Sequence, residues 1–394
     1  MYKKDFPFFK NSSIVYLDNA ATTQKPKEVV DKVVDYYTHF CSNTHRSNHT
    51  DANKATKEFE ATRDTLKDFI NAPQSKQIIF TKGVTESLNM IASTFAKEFE
   101  TIIISSLEHH SNITPWHMQG RTLHKGLEVV NVKDNLEFDF EHFEELLKNN
   151  PNSFVSITHV SNAFGVIHDI KKIAQLTHKY NSYLLVDAAQ SLAHFEVDVQ
   201  DLDVDFYAMS SHKTFGPTGV GALYVKENLL EKLPVYQTGG ATINDVSFER
   251  SIMLDAPYKY EAGTQNIAGV IGFKKALDYL NKITLKEVYK LEHELCTYLY
   301  NELKKIENII LYNDTKDSTG SRSFNIKNLN SEDIGILLGK MHIAVRAGHH
   351  CAQPIMKKLN IDGTIRVSIA FYNTKEDIDI FIKGLKKAIL MLKD

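Results

Sequence analysis

The stretch Asp205-Phe206-Tyr207-Ala208-Met209-Ser210-Ser211-His212-Lys213-Thr214-Phe215-Gly216-Pro217 decides the fold. Its first five residues are dense in strand formers, so a buried strand is predicted over 205–209. The polar cluster that follows lies at the carboxyl end of that strand, where open α/β sheets bind ligands. A lysine at such a position becomes a nucleophile when burial or a nearby positive charge lowers its pKa. Lys213 is therefore a candidate catalytic amine, with a solvated surface lysine as the ordinary alternative.

Strand and helix patterns alternate on both sides of this stretch, which predicts an α/β fold with a mainly parallel sheet covered on both faces. The predicted strands are 77–80, 101–105, 128–132, 154–159, 183–186 and 221–225. Beyond them, a long helical stretch over 268–306, interrupted near 283–284, precedes short strands and further helices. We therefore predict a large domain over 16–260, and a small α+β domain made of 1–15 and 261–394.

The composition excludes several classes of partner. The chain has 394 residues and 46 Lys+Arg against 49 Asp+Glu, so its formal charge of -3 favours neither nucleic acid nor an anionic membrane. No run approaches the ~20 apolar residues of a membrane span, and the start lacks the apolar core of a signal peptide. Cys41, Cys296 and Cys351 form no CxxC pair and no even framework, so neither structural zinc nor a disulfide scaffold is predicted. We expect a cytoplasmic protein that binds small molecules or other proteins.

A carboxylate and an amide follow the predicted strand at 183–186, in Val186-Asp187-Ala188-Ala189-Gln190. A carboxylate beside a pyridine nitrogen keeps that nitrogen protonated, and an amide can bind a ring oxygen. The alternative for Asp187 is a helix cap. Because Asp187, Gln190 and Lys213 follow strands of the same predicted sheet, we expect their side chains to converge.

Thr81-Lys82-Gly83-Val84-Thr85-Glu86-Ser87 connects a predicted strand to a helix start. Its backbone amides and the hydroxyls of Thr85 and Ser87 can hold an anion at the positive end of the helix, although a capped helix is the plainer interpretation. The segment lacks the glycines of a dinucleotide-binding motif and the lysine spacing of a P-loop. A phosphate the size of a mononucleotide's therefore fits better than NAD or ATP.

Two further polar segments follow predicted strands. In Glu108-His109-His110-Ser111-Asn112, an imidazole could stack on a planar ring and move protons near neutral pH, and we choose His109 over His110. A metal site is not predicted here, because no third and fourth ligand at suitable spacing is evident nearby. Ser161-Asn162-Ala163-Phe164-Gly165 offers Asn162 as a ring or substrate contact, with a turn-favouring asparagine as the alternative.

A cysteine flanked by imidazoles and an arginine occurs in the predicted loop Val345-Arg346-Ala347-Gly348-His349-His350-Cys351-Ala352-Gln353-Pro354. Nearby positive groups favour the thiolate, so Cys351 is predicted to be reactive. Cys296 falls on an apolar helical stripe and is predicted to pack in a core, and Cys41 is a weaker reactive candidate. Arg366, inside a predicted strand, suits a bidentate pair with a substrate carboxylate, with a structural salt bridge as the alternative.

With these positions assembled, the chain resembles the class V aminotransferase superfamily, specifically the group II, Suf-type cysteine desulfurases and the selenocysteine lyases. The motifs that carry the resemblance occur in the family's order: YLDNAATTQKP, EHHSNITPW, HVSNAFG, VDAAQS, SSHKTFGPTGVG, YEAGTQN and RAGHHCAQP. The resemblance implies fold type I of pyridoxal-phosphate enzymes, with a seven-stranded sheet in the large domain and a homodimer with active sites at its interface. It also implies conversion of L-cysteine to L-alanine, with a persulfide on Cys351 that is passed to a Suf-type acceptor protein for iron–sulfur cluster assembly.

The same resemblance assigns the ring contacts of pyridoxal 5'-phosphate. Lys213 is implied to hold its aldehyde, and His109 to stack on its ring. Asp187 is implied to pair with the ring nitrogen, and Gln190 to contact the ring hydroxyl. Asn162 is implied to contact both cofactor and substrate.

The remaining implied roles concern the phosphate and the substrate. Arg366, with Asn162, is implied to hold the substrate carboxylate, and Cys351 to take the sulfur. L-selenocysteine is a second candidate substrate, since it differs from L-cysteine in one atom. The phosphate is implied to contact four residues, the last of them from the other subunit: Thr85, Ser210, His212 and Thr264.

Three positions depart from the family pattern: Ser211 stands where glycine is frequent, Val84 where threonine is frequent, and Gln265 where proline is frequent. They bear on phosphate binding and on the loop at the dimer interface. The short HHCAQP loop implies low intrinsic turnover and dependence on an acceptor protein. The alternatives are another fold-type I enzyme, such as an aminotransferase or a kynureninase-like hydrolase, and a sulfur-carrying scaffold without turnover.

Overall fold

The structure is a computed structural model that describes residues 2–123, 126–313 and 318–393. Within these ranges, no helix is both long and apolar enough to cross a membrane. The strands are β1 (Val15–Tyr16), β2 (Ile78–Thr81), β3 (Thr101–Ser105), β4 (Gly126–Val130), β5 (Phe154–Thr158), β6 (Tyr183–Asp187), β7 (Phe206–Ser210), β8 (Gly221–Val225), β9 (Ile243–Val246), β10 (Ser251–Met253), β11 (Ile309–Tyr312), β12 (Ser321–Ile326), β13 (Ile343–Ala344), β14 (Arg346–Gly348) and β15 (Thr364–Ser368).

Several helices begin directly after a polar N-cap residue, whose side chain explains why the helix starts at that position. Asp139, Asp169 and Asn330 each accept a hydrogen bond from an N–H in the first turn that follows. The helices are α1 (Phe8–Asn11), α2 (Lys27–His39), α3 (Thr50–Phe69), α4 (Val84–Ser93), α5 (Thr114–Leu123), α6 (Phe140–Asn149), α7 (Ile170–Lys179), α8 (Glu227–Leu230), α9 (Ile267–Ile283), α10 (Leu285–Leu303), α11 (Ser331–Lys340), α12 (Gln353–Lys358) and α13 (Lys375–Lys393).

A seven-stranded sheet forms the centre of the fold, in the order β2-β8-β7-β6-β5-β3-β4. Strands β4, β3, β5, β6 and β7 are parallel, and β8 runs antiparallel to both β7 and β2. This confirms the predicted α/β fold with a mainly parallel sheet. The polar segments after β3, β5, β6 and β7 consequently meet at one edge of the sheet.

Both faces of this sheet are buried. Successive side chains of a strand point to opposite faces, so each strand contributes to two apolar clusters. In β7, Tyr207 and Met209 pack in one apolar cluster, whereas Phe206 and Ala208 pack in another. All five residues of β7 are buried. The residues that follow β7 are therefore fixed by a rigid strand.

A second, four-stranded antiparallel sheet has the order β11-β12-β15-β14. Its core contains Phe324 and Ile365, packed with Leu299 of α10, Leu338 of α11 and Phe381 of α13. In β14, Arg346 lies opposite Arg366 of β15. The segment 345–354, predicted as a loop, is thus a strand over its first part, because its backbone pairs with β15.

Candidate active site

A cavity of about 220 Å³ lies at the carboxyl edge of the large sheet. Ten of the residues proposed from the sequence line it: Thr85, His109, Asn162, Asp187, Gln190, Ser210, His212, Lys213, Cys351 and Arg366. Thr264 does not line it, and instead borders a separate cavity of about 880 Å³. The chain therefore brings together one lysine amine, one thiol and the two guanidinium groups of Arg346 and Arg366 around a common space.

Lys213 ends a short 3-10 helix, Ser211–Lys213, which directly follows β7. Burial lowers its pKa to about 8, and Asp187 partly opposes this shift. Asp187 is the last residue of β6 and is buried, so its pKa is raised by burial, while the N–H of Ala189 and the charge of Lys213 act in the opposite direction. At pH 7 a minority of Lys213, roughly a tenth for a pKa of about 8, is thus a free amine able to act as a nucleophile.

The loop that carries Lys213 is held by the N-terminal segment. The carbonyl of His212 accepts hydrogen bonds from the hydroxyls of Thr22 and Thr23 at 3.1 and 3.2 Å, and from Nζ of Lys25 at 3.0 Å. The hydroxyl of Thr23 also accepts from the N–H of Phe215 at 3.0 Å. Burial lowers the pKa of His212 to about 4, so its imidazole is neutral. These contacts fix the backbone on either side of Lys213.

The start of α4 forms the opposite wall. The N–H of Val84 donates to Oγ of Ser210 at 3.0 Å, and the hydroxyls of Thr85 and Ser111 lie 2.9 Å apart. Gly83 has φ +148°, and a Cβ at Gly221 would lie 2.5 Å from its Cα. The backbone just before α4 and the first residue of β8 therefore approach closely. The N-terminus of α4 lies at the edge of the cavity, where it can hold a phosphate.

His109 lies between β3 and the 3-10 helix His110–Asn112, and its Nδ1 accepts from the N–H of Ser111 at 3.0 Å. Burial and the charge of Lys213 lower the pKa of His109 to about 3. Its ring is therefore neutral, with its proton on Nε2. A neutral ring with a fixed tautomer suits stacking on a planar cofactor.

Cys351 lies in the turn between β14 and α12, and it is a free thiol of intermediate exposure. His350, one of the two predicted flanking imidazoles, does not supply positive charge. Burial, with the nearby arginines, lowers the pKa of His350 to about 2, and its Nε2 lies 2.9 Å from the hydroxyl of Thr364. The positive groups that border the thiol's cavity are Arg346, Arg366 and Lys213. These side chains, rather than His350, therefore place positive charge near the thiol.

Arg366 lies within β15, and its side chain is 1% exposed. Its Nη1 donates to the carbonyl of Asn162 at 3.0 Å, and its Nη2 to Oδ1 of Asp18 at 2.8 Å. Its Nε has no hydrogen-bond partner among the described residues. The guanidinium thus retains donor capacity for a carboxylate in the cavity.

The side-chain amides of Asn162 and Gln190 each form a hydrogen bond to the backbone of the same chain. Nδ2 of Asn162 donates to the carbonyl of His350 at 2.7 Å, and Nε2 of Gln190 donates to the carbonyl of Ala20 at 2.8 Å. Each amide keeps its oxygen as an acceptor. Asn162 therefore connects the segment after β5 with the loop that carries Cys351.

Sequence reasoning missed the residues that support the site from the N-terminal segment. Asp18 pairs with Arg366, and Thr22 and Thr23 anchor the lysine loop. The available signal was the concentration of short polar residues in DNAATT, to which no individual role was assigned. Glu108 was also missed: it is buried, and burial raises its pKa to about 8.

The donor set fits the cofactor that the resemblance implies. An amine with a lowered pKa, a buried carboxylate and a helix N-terminus suit an aldehyde, a pyridine nitrogen and a phosphate respectively. Gly83 at the helix start has φ +148°, a backbone conformation that side chains with a Cβ rarely adopt, so glycine sets the direction in which α4 begins. The site and the cofactor therefore agree in chemistry.

Comparison with known proteins identifies the family. Residues 15–381 match the family model described as aminotransferase class-V. The chain belongs to the aminotransferase class-V family. The fold class predicted from the sequence, fold type I of pyridoxal-phosphate enzymes, is confirmed by this match and by the solved structures of similar chains.

Several members of the aminotransferase class-V family are similar to this chain over nearly its whole length. A probable cysteine desulfurase of Halalkalibacterium halodurans is 41% identical over 98% of this chain and 96% of its own length. The cysteine desulfurase of Synechococcus elongatus is 40% identical over 98% of this chain, which spans 63% of that longer relative. Among solved structures, the apo cysteine desulfurase from Thermococcus onnurineus NA1 has a TM-score of 0.93 at 36% identity, covering 99% of this chain and 97% of that one.

Proposed function

We propose that this protein is a pyridoxal-phosphate-dependent cysteine desulfurase that converts L-cysteine to L-alanine. The sulfur of the substrate moves to Sγ of Cys351 and remains there as a persulfide. The observation that carries the proposal is that Lys213, Asp187, Arg366 and Cys351 border one cavity of about 220 Å³. Relatives that are named cysteine desulfurase at 40 and 41% identity support it.

The residues of the site divide the chemistry among themselves. When bound, pyridoxal phosphate supplies an electron sink for the electron pair left by loss of the substrate α-proton. Nζ of Lys213 takes that proton, which its lowered pKa permits near neutral pH. Arg366 binds the substrate carboxylate, and the thiolate Sγ of Cys351 attacks the substrate sulfur. The S–S bond forms as the substrate's Cβ–S bond breaks, and the electron pair of the broken bond stays with the carbon skeleton, which is protonated and released as alanine.

The other residues proposed to hold the cofactor support this assignment by bordering the same cavity. Asp187 would keep the ring nitrogen protonated, and the neutral ring of His109 would stack on the cofactor. Gln190 would contact the ring hydroxyl, and Asn162 would contact the cofactor and the substrate carboxylate. Thr85, Ser210 and His212 would hold the phosphate at the start of α4, with Thr264 supplied by a second copy of the chain.

We further propose that the protein acts as a homodimer and passes its sulfur to a Suf-type acceptor protein for iron–sulfur cluster assembly. The short loop around Cys351 supports dependence on such an acceptor. We propose a cytoplasmic location, because Cys41, Cys296 and Cys351 are all free thiols and suit a reducing compartment. L-selenocysteine remains a candidate second substrate.

The deciding experiment is an assay of the purified protein with L-cysteine and L-selenocysteine, following alanine and the cofactor absorbance near ~420 nm expected of a lysine-bound pyridoxal phosphate. We expect Cys351→Ala to lose alanine and sulfide production from L-cysteine while keeping the absorbance band. Cys41→Ala is the matched control and should keep full activity. Full activity of Cys351→Ala would favour an aminotransferase or a kynureninase-like enzyme. An inert wild-type protein that still binds the cofactor would favour the scaffold.

A further inference from the structure

His110 contacts the loop that carries Cys351 at two points, although the proposed reaction does not use it. The N–H of His110 donates to the carbonyl of Cys351 at 2.7 Å. The N–H of Gln353, the first residue of α12, donates to Nε2 of the His110 ring at 3.2 Å. The loop is therefore held at the thiol residue itself and two positions beyond it.

The loop needs such support because its backbone is unusual. His350 and Cys351 have φ values of +53° and +55°, in the left-handed region that residues other than glycine rarely adopt. Such a conformation persists only when surrounding contacts determine it. Asn162 supplies one contact, through the carbonyl of His350, and the ring of His349 supplies another, because its Nδ1 accepts from the N–H of Cys351 at 3.2 Å.

The ring of His110 is in the form that these contacts require. Nε2 can accept from Gln353 only with a free lone pair, so the ring is neutral and carries its proton on Nδ1. Burial and the neighbouring His349, whose ring centroid lies 5.6 Å away, lower the pKa of His110 and favour this form. His110 follows His109 directly: His109 caps the 3-10 helix His110–Asn112, and His110 is its first residue. The residue proposed to stack on the cofactor is therefore adjacent to the residue that contacts the thiol loop.

We propose that His110 is a positioning residue for Cys351. Its ring holds the Gln353 amide and thereby keeps the thiol in the conformation that borders the cavity shared with Lys213. The inference rests on the proposed function for its kinetic effect, but the placement of the thiol can be measured without turnover. Because the backbone contact of His110 is independent of the side chain, substitution tests the ring alone.

Two variants of His110 distinguish the effect of losing the hydrogen-bond acceptor from the effect of changing the size of the side chain. His110→Phe keeps a ring but has no acceptor, whereas His110→Gln places an amide oxygen near the position of Nε2. We expect kcat for alanine release to fall roughly tenfold in His110→Phe, and to remain within about threefold of wild type in His110→Gln, in line with the loss of one hydrogen bond. KM for L-cysteine should change less than about twofold, because His110 lies outside the cavity that Arg366 lines. His117→Phe, at an exposed histidine nearby, is the control and should be unaffected.

Alkylation by iodoacetamide without substrate, quantified for each cysteine by peptide mass spectrometry, reports the thiol directly. In His110→Phe we expect Cys351 to react several-fold faster than in wild type, because the released loop exposes it. The exposed Cys41 should react at an unchanged rate, and the buried Cys296 should stay unlabelled. Unchanged Cys351 labelling in His110→Phe would overturn the proposal, as would labelling of Cys296, which would assign the effect to unfolding. A wild-type protein that releases no alanine would reject the proposed function, while the labelling comparison would still test His110.

Discussion

At the scale of single residues, the proposed role of Arg366 requires a buried cation to bind the protein and the substrate carboxylate at once. Its guanidinium already donates to Asn162 and Asp18, and a lysine ammonium cannot reproduce two fixed bonds and still bind a carboxylate. We expect Arg366→Lys to raise KM for L-cysteine by about tenfold or more, with a smaller change in kcat. Steady-state alanine release measures both. Lys340→Arg, at an exposed position at the end of α11, is the control, and a KM within twofold of wild type in Arg366→Lys would contradict the assignment.

Ser211 departs from the family pattern and carries a buried hydroxyl with no hydrogen-bond partner among the described residues. The hydroxyl fits because residue 216 is glycine: a Cβ there would lie 2.1 Å from it. We expect Ser211→Ala to raise the free energy of unfolding by about 1 kcal/mol, since it removes an unpaired buried polar group. Urea denaturation measures the change.

The matched control for Ser211 is another buried serine. The hydroxyl of Ser191 lies 2.8 Å from that of Tyr207 and donates to the carbonyl of Ala188. Ser191→Ala should therefore lower the free energy of unfolding by about 1 kcal/mol. If both variants shifted stability in the same direction, the unpaired state of the Ser211 hydroxyl would not be the cause.

The sequence predicted those site residues that act within their own short motif. Lys213 and Asp187 each follow a predicted strand, Cys351 lies in a predicted polar loop, and the structure places all three at one cavity. Asp18 could not be found in this way, because its partner Arg366 lies 348 positions away. The charge state of His350 was also beyond the sequence, since it depends on burial by segments distant in the chain.

At the scale of elements, Glu108 ties together β3, β5 and the 3-10 segment that carries His109. Its carboxylate accepts from the hydroxyl of Ser105, from the N–H of Thr158 at 2.9 Å, and from Nδ2 of Asn112 at 2.7 Å. Burial outweighs these bonds and raises its pKa to about 8. The carboxyl group thus connects three segments by hydrogen bonds. Its ionisation at alkaline pH destabilises the folded state, because the buried site disfavours the charged form.

The raised pKa of Glu108 gives a pH dependence of stability with a definite sign. A carboxyl whose folded pKa exceeds its unfolded value contributes stability that is present at acidic pH and lost as pH rises toward about 8. Comparing Glu108→Gln with wild type cancels the other titrating groups. We expect the variant to gain about 2 kcal/mol relative to wild type between pH 6 and pH 8, measured by urea denaturation. The exposed Glu141→Gln should show no such trend, and a pH-independent difference for Glu108→Gln would contradict the shift.

Elements with strong periodicity were predicted well, and short exposed ones were not. Strands β3 and β8 have the predicted bounds, and the interruption near 283–284 is confirmed, since Thr284 has φ +73° and caps α10. The hairpin of β9 and β10 was missed because most of its residues are exposed and give no alternating pattern. Strands β13 and β14, of two and three residues, exist only through pairing with distant β1 and β15.

At the scale of the whole molecule, the division into two domains remains a prediction. Helix α9 and Phe6 pack in the same apolar cluster as one face of the large sheet, whereas the second half of α10 packs with the smaller sheet. We therefore infer that a boundary within α10, between Val288 and Leu295, describes the packing better than the predicted boundary at residue 260. Residues 1–15 would then divide between the two cores, because Val15 packs with the smaller sheet.

The surface around Thr264 and the β9–β10 hairpin suggests where a second copy of the chain binds. Phe248 at the hairpin tip is fully exposed, and Val246 and Ile252 are 66% and 43% exposed. Exposed apolar groups in one place mark interaction surfaces. The cavity that Thr264 borders is also lined by Ile243 of β9, so the hairpin and Thr264 form one continuous surface.

A dimer through this surface predicts that assembly and cofactor retention fail together. Wild type should sediment at twice the chain mass of 44.8 kDa. We expect Phe248→Asp to shift the population toward monomer, because a charge at the centre of an apolar contact is costly to bury, and to release pyridoxal phosphate more readily on dialysis, because Thr264 of the second copy is lost from the phosphate. Sedimentation velocity and absorbance measure the two effects. Ile380→Asp, at an exposed apolar position on α13, is the control and should stay dimeric. A monomeric Phe248→Asp that retains its cofactor fully would show that each chain holds the phosphate alone.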